Sequence, residues 1–321
     1  MKIKNLILAL ALVVGLSSFA GNAKAQTTTQ TFGSGGNTFS LDFQTIGNAG
    51  NAADTTGYGA VGYNYSIGTY DISQNQLDAA TANGLVGVAG GAWSGNLPAA
   101  NVSWYQAAAF VNFLNTSTGH QAAYNLTYSG GAYTMALWSS GQSGYDASNP
   151  FRNSLALYVL PSENEWYKAA YYDPSGTNYF LYPTGSNTAP TAVASGTNAN
   201  TAVYNQPSSP ASVYQAGGLS PYGTMGQGGN AWQWLEDAYS GSNTSAWGNR
   251  VIRGGSFSYI SDGLSSSYRS EDPANNNSGY GVGFRVAELS AVPEPSTYAL
   301  FGLGALGLVF VTRTKGRKRI S

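Results

Sequence analysis

The chain has 321 residues, one His and no Cys, and charged side chains make up only 9% of it, against about 25% in an ordinary soluble protein. Without Cys the chain cannot form a disulfide, a thiolate metal site or a Cys nucleophile, and one His cannot build a His-rich metal centre. Residues 26–289 hold six basic and 14 acidic side chains, a net charge of −8, which excludes the phosphate contacts that a nucleic-acid-binding protein needs.

Residues 1–25 have the pattern of a secretory signal peptide. A short basic start precedes an apolar run from Leu6 to Leu16, and small residues follow up to Ala23-Lys24-Ala25. The apolar run is too short to span the roughly 30 Å of hydrocarbon in a bilayer. We therefore expect cleavage after Ala25 and export of the rest of the chain.

Three segments carry the start signal of a helix. Ser73, Ser103 and Ser162 are each followed three residues later by Gln or Glu, a pairing that satisfies free backbone N–H groups in a capping box. In the second segment five apolar residues share one face at helical spacing, which predicts the buried side: Trp104, Ala107, Ala108, Val111 and Leu114.

The third segment, LPSENEWYKAAYYDP at residues 160–174, allows two interpretations. Glu163 and Glu165 could be an acid–base pair, which would require both carboxylates to converge on one substrate. They would also lie in the first helical turn, where carboxylates complement the helix dipole and Glu165 closes the cap. This structural role needs no substrate. The helix would then turn Lys168 away from a buried stripe, made of Trp166, Ala169 and Ala170.

Short strands and long loops fill most of the remaining sequence. The segments AVGYNYSIGTYDI, RVIRGGSF and GVGFRVAEL are rich in aromatic and β-branched residues, and the last one alternates, with Phe284 and Val286 opposite Arg285. Residues 183–229 are mostly Ser, Thr, Asn, Gly and Pro, with few apolar anchors. The sequence predicts one α+β domain over residues 32–289, with few helices, short strands and many loops.

Five motifs follow one another in a set order: LPSENEWYKAAYYDP, YPTGSNTAP, GTMGQGGNAWQWLED, RVIRGGSF and GFRVA. In this order they resemble the segments of the formylglycine-generating enzyme, or sulfatase-modifying factor, family. The resemblance extends over residues 42–288. It implies the compact, loop-rich variant of the C-type-lectin-like fold that this family has.

The resemblance implies that the family's copper site would lie in a segment whose sequence lacks the expected ligands in this chain. The family's enzymes oxidise a substrate Cys with copper held by two thiolates, between the Arg-Gly-Gly-Ser strand and the Gly-Phe-Arg strand. In this chain the interval, residues 258–282, reads SYISDGLSSSYRSEDPANNNSGYGV and contains no Cys. Copper(I) selects soft sulfur ligands, which Ser, Tyr and Asp cannot replace. We therefore expect no copper and no formylglycine generation.

The resemblance also implies a calcium position in the turn from Gly229 to Trp234, at Asn230, Ala231 and Gln233. Gln233 stands where the family has Glu, so it keeps a carbonyl oxygen but loses the charge. Calcium binds carbonyl and amide oxygens, so a weakened calcium site is one interpretation. The other is a turn held by its own amides.

Arg253 and Arg285 lie beside glycines in two predicted strands. In a body so poor in charge we expect them to form ion pairs with Glu236, Asp237 or Glu165. A role in anchoring a substrate is the alternative.

The C-terminal segment, residues 292–319, combines three features. Pro293-Glu294-Pro295 precedes an uncharged, mostly apolar run at residues 297–312, and five Lys or Arg residues follow. This arrangement resembles the PEP-CTERM sorting signal of Gram-negative bacteria. It implies a transmembrane anchor in the inner membrane, then processing by an exosortase. The mature protein would lie at the outer surface or outside the cell, often alongside exopolysaccharide.

Three functions remain open at this point. The first, which we expect, is a non-catalytic exported module that binds a glycan, a peptide or an envelope protein; 42 Gly and 23 Tyr suit a loop-rich contact surface. The second is an enzyme that uses carboxylates alone, with Asp262, Glu271 and Asp272 in the interval without Cys. The third is a structural matrix protein without a specific ligand.

Overall fold

All three capped segments form helices in the computed structural model, which describes residues 26–88, 91, 93–241, 248–276 and 281–289. The helices are α1 (Gln74–Ala82), α2 (Trp104–Ser117) and α3 (Glu163–Tyr171). Each begins directly after the predicted Ser, and in each the reciprocal side-chain and backbone hydrogen bonds of a capping box are present. The predicted helix starts are confirmed.

The predicted signal peptide at residues 1–25 and the predicted sorting segment at residues 292–319 lie outside the described residues, and so does the apolar run at 297–312. In the part of the chain that the structure describes, no helix is long and apolar enough to cross a membrane. The transmembrane anchor therefore stays a prediction from the sequence.

The first sheet joins the two ends of the described domain. Its five strands are all antiparallel, in the order β1 (Thr27–Phe32), β2 (Phe39–Ile46), β3 (Tyr65–Gly68), β13 (Ala287–Leu289) and β6 (Tyr158–Val159). β1 pairs with β2 along its whole length, so the sheet begins before residue 32. Alternation along β2 turns Phe39, Leu41 and Phe43 into the core.

The second sheet comes from the C-terminal third of the chain. Its order is β11 (Ser270–Pro273), β10 (Asn249–Arg253), β9 (Trp232–Ala238) and β12 (Val282–Gly283). β12 runs parallel to β9, and the other pairs are antiparallel. Two further pairs are small: β4 (Asn125–Ser129) with β5 (Ala132–Ala136), and β7 (Thr191–Ala192) with β8 (Thr201–Ala202).

The segment GVGFRVAEL is divided between the two sheets and does not form the single strand that was predicted. β12 ends at Gly283, β13 begins at Ala287, and the three residues between them are all buried: Phe284, Arg285 and Val286. Arg285 points inside because its guanidinium binds Asp71 and Gln233. These two partners lie far away in the sequence, so the local alternation could not show where the strand breaks.

The core contains a large cluster and a smaller one centred on α3. The large cluster includes the predicted face of α2, which is buried: Trp104, Ala107, Ala108, Val111 and Leu114. The smaller cluster packs α3 against the second sheet, through Leu235 of β9 and Val251 of β10: its α3 members are Trp166, Tyr167, Ala170 and Tyr171.

The sequence did not show that Lys168 is buried. Its side chain is fully buried, and its Nζ donates a hydrogen bond to the backbone oxygen of Asn48 at 2.9 Å. The ring centre of Tyr172 lies 5.9 Å from the same Nζ. The loop between β2 and β3 covers this side of α3, and helical spacing cannot reveal what a distant loop covers.

Candidate functional site

The two carboxylates of α3 are each held by arginine. Glu163 and Glu165 lie in the first turn of the helix, as predicted, and both are buried. Arg253 and Arg269 donate to Glu163 through their Nε atoms at 2.7 and 2.9 Å. Arg152 donates to both oxygens of Glu165 at 3.1 Å. Each carboxylate therefore has a cationic partner inside the domain.

Glu165 also closes the helix cap. The backbone N–H of Ser162 donates to Glu165 at 2.6 Å, and the hydroxyl of Tyr63 donates at 2.5 Å. Burial alone would raise the pKa of Glu165, but Arg152 and these hydrogen bonds hold it below its usual value. Glu165 thus remains ionised at neutral pH as a structural anion.

Gln233 is the second residue of β9 and lies near the end of the Gly229–Trp234 segment for which the family resemblance implies calcium. Its Oε1 accepts hydrogen bonds from Nε1 of Trp166 at 2.5 Å and from Nε of Arg285 at 2.6 Å. Its Nε2 donates to the backbone oxygen of Gly226 at 2.7 Å. A guanidinium on this oxygen repels a second cation, so the Gln233 side chain does not fit as a calcium ligand.

Asn230 and Ala231 are buried in the same turn. The side-chain oxygen of Asn230 accepts the N–H of Ala211 at 2.8 Å, and its backbone oxygen accepts the N–H of Phe257 at 2.9 Å. Within the described ranges no group of three or more His, Asp or Glu could hold a metal ion. Amide hydrogen bonds hold this turn, and its side chains do not fit a bound calcium ion.

The interval at residues 258–282 is packed with hydroxyls and aromatic rings. The hydroxyls of Tyr259 and Tyr268 are 2.5 Å apart, and both rings pack against Trp232, with ring centres 5.2 and 5.9 Å from it. Arg253 of β10 holds this interval against the second sheet, because its Nη1 donates a hydrogen bond to the backbone oxygen of Tyr268 at 2.8 Å. Residues 277–280 of the interval lie outside the described residues.

Comparison with known protein families identifies the domain. The family model for the sulfatase-modifying factor enzyme 1-like domain matches residues 37–289. The chain belongs to this family.

Three solved structures share the fold of this sulfatase-modifying factor domain. Treponema denticola variable protein 1 is 21% identical with a TM-score of 0.55, CarF is 19% identical with 0.56, and PvdO from Pseudomonas aeruginosa is 16% identical with 0.50. The matches cover 82%, 78% and 81% of this chain and 99%, 98% and 98% of those chains. None of the curated proteins compared with the chain matches it. At these identities the likeness shows the fold alone, and it confirms the predicted α+β class.

A second family model, for the PEP-CTERM protein-sorting motif, matches residues 291–318. The match confirms the sorting signal that was predicted at residues 292–319. It marks this sulfatase-modifying factor domain as part of an exported protein that exosortase-type machinery processes at the membrane.

The acid partners predicted for Arg253 and Arg285 are wrong, although both arginines do form ion pairs. Arg253 pairs with Glu163, and Arg285 donates to Asp71 at 3.1 Å. Burial raises the pKa of Asp71 to about 7, and the pairing with Arg285 opposes this rise. Glu165 and Glu236, two of the predicted acids, both pair with Arg152 instead. The sequence analysis did not single out Arg152.

The acids considered for a carboxylate enzyme do not form a converging pair in β11. Glu271 and Asp272 are neighbours in this strand, so their side chains point to opposite faces of the sheet. Glu271 is exposed, whereas both oxygens of Asp272 accept hydrogen bonds from Nδ2 of Asn276, at 2.8 and 3.0 Å. Asp262 is exposed in a separate 3₁₀ turn, Ser261–Leu264.

Sequence reasoning missed a groove beside α1 and β2. It is an open cavity of about 690 Å³ with a polar lining that includes Asp42, Asp78 and Tyr214. The one signal for it is the segment SQNQLDAATANG, in which polar and small residues occupy the helix side away from Leu77, which is buried. That pattern shows an exposed helix face, but only the fold shows what lies across from it.

Proposed function

We propose that the chain is an exported, non-catalytic sulfatase-modifying factor domain that acts as a binding protein of the cell envelope or extracellular matrix. The observation that carries this proposal is the interval at residues 258–282, where hydroxyls and aromatic rings stand in place of the family's thiolates. Hard oxygen donors do not select copper(I), so the family's oxidation chemistry has no support in these residues.

The buried charges support the same proposal. Glu163, Glu165 and Asp71 each pair with arginine inside the domain, and none of the three is exposed. An acid–base catalyst must reach the proton that it transfers. These carboxylates reach only structural partners, which is the arrangement of a scaffold.

The proposed location follows from the sorting motif. Before processing, residues 297–312 would anchor the chain in the inner membrane, with the basic tail in the cytoplasm. After processing, the domain would lie at the outer surface or in the extracellular matrix, where a loop-rich domain can contact a glycan or an envelope protein.

Turnover by the exported protein tests this proposal. The protein is purified from the organism that encodes it and is incubated with a Cys-containing sulfatase peptide, with and without added copper. We expect the peptide mass to stay that of the thiol under both conditions, because the chain has no Cys thiolate to hold copper as the family's enzymes do. A mass that corresponds to the aldehyde would overturn the proposal.

A second assay addresses hydrolysis. The same protein is incubated with the organism's own extracellular polysaccharide, and newly released reducing ends are counted. We expect none above the level of buffer alone. Release that disappears in Glu271→Gln or Asp272→Asn would show a carboxylate enzyme instead.

A further inference from the structure

The groove beside α1 has the volume of a small-molecule site. Its cavity of about 690 Å³ falls inside the roughly 300–1,000 Å³ range of small-molecule sites. The side chains that decide its chemistry are Asp42, Asn75, Gln76, Asp78, Asn96 and Tyr214.

One wall is a face of α1. Asn75, Asp78, Ala79 and Ala82 follow the spacing of a single helix face, so they present two polar groups and two small residues to the groove. The wall is held in place: Gln76 Nε2 donates to the backbone oxygen of a β2 residue at 2.8 Å, and its Oε1 accepts the N–H of the α1 cap at 2.8 Å. The polar groups of α1 are therefore positioned before any ligand arrives.

The rest of the lining includes a carboxylate, Asp42, and one exposed aromatic ring, Tyr214, which Tyr70 contacts from outside the lining. The rings of Tyr70 and Tyr214 meet edge to face, with centres 4.8 Å apart, and Tyr214 is 39% exposed. Burial raises the pKa of both tyrosines, and the negative charge of the nearby Asp42 raises it further. Its Oδ1 accepts the hydroxyl of Thr29 at 2.6 Å, which fixes the carboxylate.

The groove keeps both donors and acceptors unused. Asp42 and Asp78 each accept one hydrogen bond through Oδ1, and among the described residues neither Oδ2 accepts another. Asn75 Nδ2 donates to Asn96 Oδ1 at 3.0 Å, which leaves the Asn75 amide oxygen and the Asn96 amide nitrogen unpaired within the described ranges. Asp42, Asp78 and Asn75 therefore each offer one free acceptor to the groove, and Asn96 offers one free donor.

The charge of the lining narrows the ligand class. Among the described residues that line the cavity there is no Lys, Arg or His, so two carboxylates would repel an anionic ligand. A cation would gain from the carboxylates but not from the free amide N–H of Asn96. A sugar ring uses all of these groups, because each hydroxyl both donates and accepts, and its C–H face packs on an aromatic ring.

We propose that this groove binds a neutral oligosaccharide segment. Asp42 and Asp78 accept hydrogen bonds from its hydroxyls, the amides of Asn75 and Asn96 accept and donate one each, and the ring of Tyr214 packs on a sugar face. The inference rests on the proposed function, since it names the ligand class of an exported binding protein.

Binding by matched variants of the exported protein tests the inference. The organism's extracellular polysaccharide is separated into neutral and anionic fractions, each is cut to oligosaccharides, and both are titrated by calorimetry beside a short polylysine. We expect binding of the neutral fraction only. Asp78→Ala and Tyr214→Ala should each weaken it by roughly tenfold or more, the loss that follows when a charged hydrogen bond or a packed ring is removed.

The control is Tyr128→Ala, because Tyr128 is 41% exposed, closely matches Tyr214 in exposure and does not line the groove. Its affinity should equal that of the unaltered protein. Tyr214 is exposed, so Tyr214→Ala should keep the thermal midpoint. Asp78→Ala removes the acceptor of the buried Gln74 amide, so its midpoint should fall by a few degrees while the protein stays folded. If one of the two variants does not fold, the other still tests the inference.

Three results would overturn the inference: no binding of the neutral fraction, equal binding by all variants, or tighter binding of polylysine or the anionic fraction. If one of these results is found and the protein shows neither aldehyde formation nor polysaccharide cleavage, the groove does not bind a neutral oligosaccharide, but the non-catalytic proposal is unaffected. Aldehyde formation or polysaccharide cleavage sinks the non-catalytic proposal whatever the groove binds.

Discussion

Lys168 is a charged residue whose environment changes its chemistry. Its ammonium group is buried beside Asn48 and the ring of Tyr172, and burial lowers its pKa from the usual 10.5 to about 8. A buried ammonium is costly in its charged form. At neutral pH Lys168 is therefore a source of instability, which the packing around α3 compensates.

This pKa predicts a pH dependence of stability. Between pH 8 and pH 10.5 the folded chain has released the Lys168 proton while the unfolded chain still holds it, so this group makes the free energy of unfolding rise with pH. Below that window both states are protonated and its contribution is constant. In Lys168→Met the rise should be missing, which thermal melts of both proteins across the window would show. Parallel curves for the two proteins would contradict the prediction.

Gln233 predicts the response to calcium. Because its oxygen accepts the N–H groups of Trp166 and Arg285, a calcium ion at this position would have to approach a guanidinium. We expect the thermal midpoint of the exported protein to be the same in millimolar calcium, in magnesium and in a calcium chelator. A midpoint that rises only with calcium would show that the turn at Gly229–Trp234 rearranges to bind the ion.

Helix α3 connects three separate parts of the molecule. Its Glu163 binds Arg253 of β10, its Trp166 binds Gln233 of β9, and its Glu165 binds Arg152 of the segment before β6. A short helix would be marginal in isolation. Here its ion pairs and aromatic packing hold it to the second sheet, so its carboxylates serve the architecture.

Removing one charge from α3 should therefore destabilise the whole domain. In Glu163→Gln two arginines, Arg253 and Arg269, lose the anion that they share inside the protein. We expect the free energy of unfolding to fall by about 3–5 kcal/mol, the usual cost of breaking a buried ion pair from one side. Urea denaturation gives this value.

The matched control is Glu271→Gln, because Glu271 is exposed. This change should alter the free energy of unfolding by less than about 0.5 kcal/mol. Similar losses of stability in both variants would refute a special role for Glu163.

On the scale of the whole molecule, the last strand of the described residues closes the first sheet, and the sorting motif follows it in the sequence. β13 pairs with β3 and with β6, and it ends at Leu289, two residues before the matched motif begins at 291. The folded domain and the processed tail are therefore adjacent in the chain but separate in their physical roles. Changes in the motif should alter processing without changing the stability of the domain.

The motif can be tested by replacing Pro293-Glu294-Pro295 with three alanines. In the organism that encodes the chain, we expect the altered protein to keep its C-terminal tail and to remain with the membrane fraction. Intact mass spectrometry would show the larger mass, and Ser290→Ala should be processed like the unaltered chain. A processed mass for the triple variant would mean that the tail is removed by another route.

Much of this protein is decided by short stretches of sequence. The starts of α1, α2 and α3 were predictable because a capping box needs only a Ser and the residue three positions later. The absence of Cys thiolates could be read directly from the composition, and the expectation that the chain binds no copper rests on it. The family and the sorting motif were visible because each consists of ordered local patterns.

Tertiary structure alone decided the remaining features, since each depends on groups that are far apart in the chain. Arg285 and Asp71 are 214 positions apart, and no spacing rule pairs them. The burial of Lys168 depends on a loop 120 positions earlier in the chain. The groove exists only where α1, β2 and the segment around Tyr214 meet. Local chemistry therefore specified where the helices begin and that no Cys thiolate is present, whereas long-range packing selected the partner of each buried charge and the position of the groove.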